Sequence, residues 1–134
     1  MATPGKSILL DTCIVVRHFR DSNAWAGRLD SFEEIYLPQV ALAELYAGAY
    51  RSSHPEKHLQ QIGRFLEAVE VLGPHESTPL IYGRISAQLA KSGTPIPQND
   101  IWIAATALQF GLPLATTDAH FRHVIGLNVL SWEG

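Results

Sequence analysis

The sequence predicts an α/β fold in which a central parallel sheet of short strands is flanked by helices on both faces. The apolar runs are short and lack strict alternation, as strands buried on both sides do. They also alternate along the chain with helical stretches, the order expected of a sheet built through helical crossovers. A length of 134 residues with 46% hydrophobic and 17% charged side chains fills one core. No internal repeat, linker or low-complexity tract divides the chain, so residues 1–134 are read as a single domain.

The elements follow in order. Residues 7–10, Ser-Ile-Leu-Leu, form the first strand and end at Asp11. Helices are predicted over 12–19 and 22–32, with Ser22 placed to cap the latter. A second strand spans 35–37, and Pro38 suits the first turn of a helix over 39–51. Pro55 opens a helix to residue 67, and 69–72 form a third strand before Gly73-Pro74. Pro79 starts a long helix to Lys91, stopped by Ser92-Gly93. Thr94-Pro95-Ile96-Pro97 cannot be helical and is read as a loop. A helix over 99–110 ends at Gly111, followed by a strand at 114–116, a short helix at 119–124 and a last strand at 127–130.

Charge and cysteine content exclude several classes. Ten Lys plus Arg against thirteen Asp plus Glu, a net charge of -3, rule out a polybasic carpet for nucleic acid. The single cysteine, Cys13, forms neither an internal disulfide nor a multi-thiolate zinc site. No apolar run approaches the roughly 20 residues that span a bilayer. Residues 1–16, interrupted by Asp11, make a poor secretory leader. A soluble cytoplasmic protein is expected.

Four acids carry the chemistry. Asp11 and Asp118 stand at the ends of strands able to lie side by side, and ligands of open α/β sheets bind beyond such ends. Either acid alone is read equally well as a cap of the helix that follows. Glu44 is the one side chain charged at neutral pH within Val40-Ala41-Leu42-Ala43-Glu44-Leu45-Tyr46-Ala47-Gly48-Ala49-Tyr50. A helix apolar all round is expected to be buried. A lone buried carboxylate is costly unless it is paired or binds a metal, and no basic residue lies three or four positions away. The alternative is a thin exposed strip. Asp100 opens the apolar helix Ile101-Trp102-Ile103-Ala104-Ala105-Thr106-Ala107-Leu108, where an acid is also favoured by the helix dipole alone.

Taken together, these acids point to a hard cation, because oxygen-only ligands suit Mg²⁺ or Mn²⁺. Crowded carboxylates repel one another and need a cation or protons to stay close. Such ions activate water and stabilise attack on a phosphodiester. With the four set aside, nine acids face ten bases, so the remaining surface does not repel a polyanion.

At these residues the chain resembles the PIN-domain ribonucleases and, among them, the VapC-type toxins of bacterial toxin–antitoxin pairs. The matching pieces are Leu9-Leu10-Asp11-Thr12, Ala43-Glu44-Leu45-Tyr46-Ala47-Gly48, Pro97-Gln98-Asn99-Asp100-Ile101-Trp102-Ile103-Ala104-Ala105-Thr106-Ala107 and Thr116-Thr117-Asp118-Ala119-His120-Phe121. They occur in the family's order and cover essentially the whole chain. The resemblance implies a PIN-like fold and a Mg²⁺- or Mn²⁺-dependent endoribonuclease that hydrolyses RNA phosphodiesters by metal-activated water. The catalytic and metal-ligand roles would fall on Asp11, Glu44, Asp100 and Asp118, with Thr12, Asn99 and Thr117 as supporting polar residues. It further implies a cognate antitoxin, a homodimer and a higher toxin–antitoxin assembly. Many relatives carry another Asp where His120 stands, and Ser or Asn where Cys13 stands. A fifth acidic ligand is therefore not expected, and Cys13 is read as a small buried hydrophobe.

Other residues fit structural readings better. His54 and His58 lack the Glu of a zinc protease. For His120 and His123 a surface role is preferred to metal binding. Trp102 is read as core, whereas Arg17, Arg20 and Arg28 either guide RNA or line a solvated face. The competing function is a catalytically inactive PIN-like module that binds RNA or a protein partner. Aspartyl phosphotransfer ranks lower. A haloacid-dehalogenase pattern needs Asp where Cys13 stands, and a receiver domain needs a lysine later than Lys91.

Overall fold

Ile8, Leu9 and Leu10 are all fully buried. Successive strand residues point to opposite faces, so their strand is covered on both sides. This is β1 (Ser7–Leu10), the middle of a five-stranded sheet in the computed structural model, which describes residues 6–133. The other strands are β2 (Glu34–Pro38), β3 (Glu70–Leu72), β4 (Leu114–Thr116) and β5 (Val129–Ser131). Their order is β3-β2-β1-β4-β5, and every pairing is parallel. Leu9 lies opposite Tyr36 on one side and Leu114 on the other, and Leu10 lies opposite Ala115. The chain leaves β1 for β2 and returns to β1's other flank as β4, so the ends of β1 and β4 border the crevice of a topological switch point.

The helices are α1 (Thr12–Arg20), α2 (Gln39–Arg51), α3 (Pro55–Leu66), α4 (Thr78–Ser92) and α5 (Gln98–Phe110). α5 is the most enclosed: Ile101 and residues 103–107 are all buried. α4 packs along it, and α2 packs against α1, α3 and α5. Gly111, at φ +65°, ends α5 in a left-handed conformation suited to glycine.

Two expectations need correction. Residues 22–32 do not form an α-helix but a run of turns ending in a 3₁₀ segment, Leu29–Ser31. Asp21 Oδ1, not Ser22, accepts the Asn23 N–H at 3.0 Å. The Trp25 indole donates to the Ile14 carbonyl at 2.8 Å, and Gly27 turns to φ +81°. A buried side chain pinned to α1 and a left-handed backbone thus override the helical pattern. Pro38 is the last residue of β2, with an extended ψ of 143°, and precedes α2 instead of entering its first turn.

Smaller shifts occur elsewhere. The short helix after β4 is a 3₁₀ turn, Ala119–His123, and the last strand begins two residues later than the sequence predicts. The first part of the segment read against a secretory leader, residues 1–5, lies outside the described residues. No described helix is long and apolar enough to cross a membrane.

Candidate active site

Parallel pairing of β1 with β4 brings two strand-end acids to one edge of the sheet. Asp11 caps α1, its Oδ1 accepting the Thr12 amide at 2.8 Å. Asp118 caps the following 3₁₀ turn, its Oδ1 accepting the His120 amide at 2.9 Å. Both acids are caps, as either alone would suggest, and they also converge. The link is Thr116, the fully buried end of β4. Its Oγ1 donates to Asp11 Oδ2 at 2.7 Å and accepts the Asp118 amide at 2.9 Å.

The helices supply the other two acids. α2 packs on α1, and Thr12 Oγ1 donates to Glu44 Oε1 at 2.6 Å. α2 is not buried all round. Ala41, Leu45 and Ala49 face the core, whereas Ala43, Ala47 and Gly48 are exposed, which leaves Glu44 half-buried at the margin. Small side chains make the sequence look uniformly apolar while one face meets solvent. Asp100 enters from the first turn of α5, its side chain 17% exposed.

These four acids line one open groove of about 680 Å³, together with Thr12 and Cys13, and Arg17 and Arg20 also border it. Burial pushes the Asp11 carboxyl above its ordinary range. Hydrogen bonds from Thr116, Cys13 and the Thr12 amide pull it part of the way back, and the Glu44 charge raises it further. Asp100 is pushed up to about 6, first by burial and then by the charges on Asp11, Asp118 and Glu44. Burial and the charges of neighbouring acids thus both favour the protonated forms of Asp11 and Asp100.

Of the supporting residues the sequence suggests, Thr12 bonds Glu44, and Thr117 lines the groove but is exposed. Asn99 is exposed on α5 and does not line the groove. The buried hydroxyl is Thr116, one residue before the expected Thr117. Thr116 is the last residue of β4, buried like the whole strand, whereas Thr117 lies just beyond it and is exposed.

Cys13 is not a buried hydrophobe. It is half-buried, and its thiol donates to Asp11 Oδ2 at 3.2 Å. Burial and the Asp11 charge push that thiol up, away from reactive thiolate. Trp102 is half-buried and stacks on Tyr82, with ring centroids 4.3 Å apart. Arg28 sits over both Trp25 and Trp132. His120 joins the cluster, its Nδ1 lying 3.1 Å from Asp118 Oδ1 and 3.7 Å from Asp100 Oδ2.

Residues 8–127 match the family model of the PIN domain. The chain belongs to the PIN-domain family, in its VapC branch. It is 37% identical over 97 residues to ribonuclease VapC2 of Haemophilus influenzae, an alignment covering 72% of this chain and 74% of that one. Its identity to the tRNA(fMet)-specific endonuclease VapC of Shigella flexneri is 32% over 130 residues, covering 93% and 97%. Among solved structures, VapBC-1 from nontypeable Haemophilus influenzae superposes with a TM-score of 0.87 at 30% identity, covering 94% of this chain and 98% of that one. DNA-bound VapBC from Salmonella typhimurium gives a TM-score of 0.89 at 27% identity, covering 95% and 98%. The groove of this PIN domain lies where β1 and β4 end, at the switch point of the sheet.

Proposed function

We propose that this PIN-domain chain is an endoribonuclease, dependent on a divalent metal ion, that acts as the toxin of a toxin–antitoxin pair. The observation that carries the reading is the convergence of Asp11, Glu44, Asp100 and Asp118 on one groove, with Asp100 raised to about 6 by burial and then by the charges of the other three. Its similarity to proteins named VapC ribonucleases supports RNA as the substrate.

The donor set fits a hard divalent ion. Four carboxylates offer oxygen ligands only, and Asp100 is held partly protonated by burial and by its acidic neighbours, a state that a bound cation would relieve. Asp11, Glu44, Asp100 and Asp118 would hold Mg²⁺ or Mn²⁺, with Thr12 and Thr116 orienting Glu44 and Asp11 by their hydroxyls. When bound, such an ion supplies Lewis acidity towards water and the phosphodiester. The chain itself binds and orients the substrate. Arg17 and Arg20, at the edge of the acidic groove, bind phosphates flanking the scissile bond.

Solved relatives carry the name VapBC, the name of a family of toxin–antitoxin systems. This supports an antitoxin partner that inserts a basic side chain, best an arginine able to pair bidentately, among the four acids. The activity is tested with purified protein freed of any co-purifying partner. Wild type is expected to cleave RNA, and Asp11→Asn is expected to be inactive while folded. Equal cleavage by both would overturn the assignment, and a folded, metal-loaded wild type that leaves RNA of varied sequence intact would favour an inactive binding module.

A further inference from the structure

We propose that His120 donates its imidazole nitrogen to the metal site, so that Asp100, Asp118 and His120 form a mixed nitrogen–oxygen donor set that shifts preference from Mg²⁺ towards Mn²⁺ and other transition ions. This deepens the four-carboxylate reading and rests on it.

The geometry is that of ligands around one ion. Two donors each about 2.1 Å from an octahedral ion, at right angles, lie about 3 Å apart. His120 Nδ1 lies 3.1 Å from Asp118 Oδ1 and 3.7 Å from Asp100 Oδ2. One donor atom from each residue falls within 4.8 Å of the other two. The backbone places this residue beside the acid. Asp118 caps the 3₁₀ turn through the His120 amide at 2.9 Å, which fixes the histidine two residues beyond the acid. The imidazole is 52% exposed, and it lies beside the two carboxylates through charge and hydrogen bonding, not through core packing.

Donor chemistry sets the direction of the effect. Mg²⁺ is hard and favours oxygen, whereas imidazole nitrogen is a better ligand for transition ions, whose affinities rise from Mn²⁺ to Cu²⁺. Replacing His120 with a carboxylate should therefore keep an ion in the groove while changing which ion it prefers.

The test is pulsed electron paramagnetic resonance of Mn²⁺ bound to wild type, His120→Asp and Asp100→Asn, with Mg²⁺ competition followed by calorimetry. Wild type should show modulation from a directly coordinated nitrogen-14. In His120→Asp that signal should vanish, and preference for Mn²⁺ over Mg²⁺ should fall roughly tenfold, the scale on which shell substitutions alter metal affinity. Tight Mn²⁺ binding that needs Asp100 but shows no nitrogen signal in wild type would overturn the proposal and leave the carboxylate site standing. An unchanged Mn²⁺ to Mg²⁺ ratio in His120→Asp would also overturn it. If wild type fails to bind Mn²⁺, this proposal and the metal-dependent reading fall together.

Discussion

Thr116 and Asp11 share a hydrogen bond of 2.7 Å across the β1–β4 pairing, and the same threonine hydroxyl accepts the Asp118 amide at 2.9 Å. One buried side chain thus fixes the separation of the two strand-end acids. A hydroxyl is required because it must donate to a carboxylate and accept from an amide at once.

Thr116→Val keeps the shape but strands both partners. The expected destabilisation is about 1–3 kcal/mol, the usual cost of leaving a buried polar group unsatisfied. RNA cleavage should fall with it, and Thr116→Ser should restore much of both. Denaturant melts of the three proteins check this. A Thr116→Val protein as stable and active as wild type would show that the hydroxyl link is dispensable.

Stability of the metal-free protein should decline as pH rises through the acid range. Asp100 has an ordinary value of 3.8 and is pushed up to about 6 in the fold, so the native state holds its proton more tightly than the unfolded chain. That contribution is complete below about pH 4 and lost as pH climbs past about 6, and the raised Asp11 acts in the same direction. Melts in chelator from pH 4 to 7.5 should show the decline in wild type and a shallower one in Asp100→Asn. Parallel curves would place Asp100 outside the shared field.

Chelation should abolish cleavage. On the proposed metal-dependent mechanism excess EDTA strips the cation that activates water, and adding back Mg²⁺ or Mn²⁺ should restore activity. Full activity in EDTA would contradict the metal assignment.

Arg20→Ala should weaken binding of single-stranded RNA at low salt. If Arg20 contacts one phosphate, the slope of log affinity against log salt should drop by about 0.7. An unchanged slope would assign Arg20, which borders the groove, to a solvated face.

The fold was largely legible because its signals are local. Short apolar runs mark β1 and β4, Pro55 and Pro79 open α3 and α4, and Gly111 closes α5. The four acids were legible because each breaks an apolar context or ends a strand. What escaped depends on the third dimension. Trp25 holds 22–32 out of helix by reaching the Ile14 carbonyl, a contact that periodicity does not encode. Cys13 and Thr116 look apolar or neutral in sequence, yet both point at Asp11. His120 is exposed, as the sequence suggests, and the sequence does not show that the 3₁₀ turn brings its ring beside Asp118 and Asp100.

On this reading Asp11, Glu44, Asp100 and Asp118 act as one repelling cluster that a divalent ion relieves. Thermal melts of wild type and Asp100→Asn, each in EDTA and in Mg²⁺, test it most directly. In EDTA the variant should melt at the same temperature as wild type or higher, because a near-isosteric amide removes repulsion. In Mg²⁺ the order should reverse, since a tighter-binding ligand stabilises the native state more and wild type should bind more tightly. If Asp100→Asn melts well below wild type in EDTA, Asp100 serves chiefly as a helix-start acid and the four carboxylates are not one site.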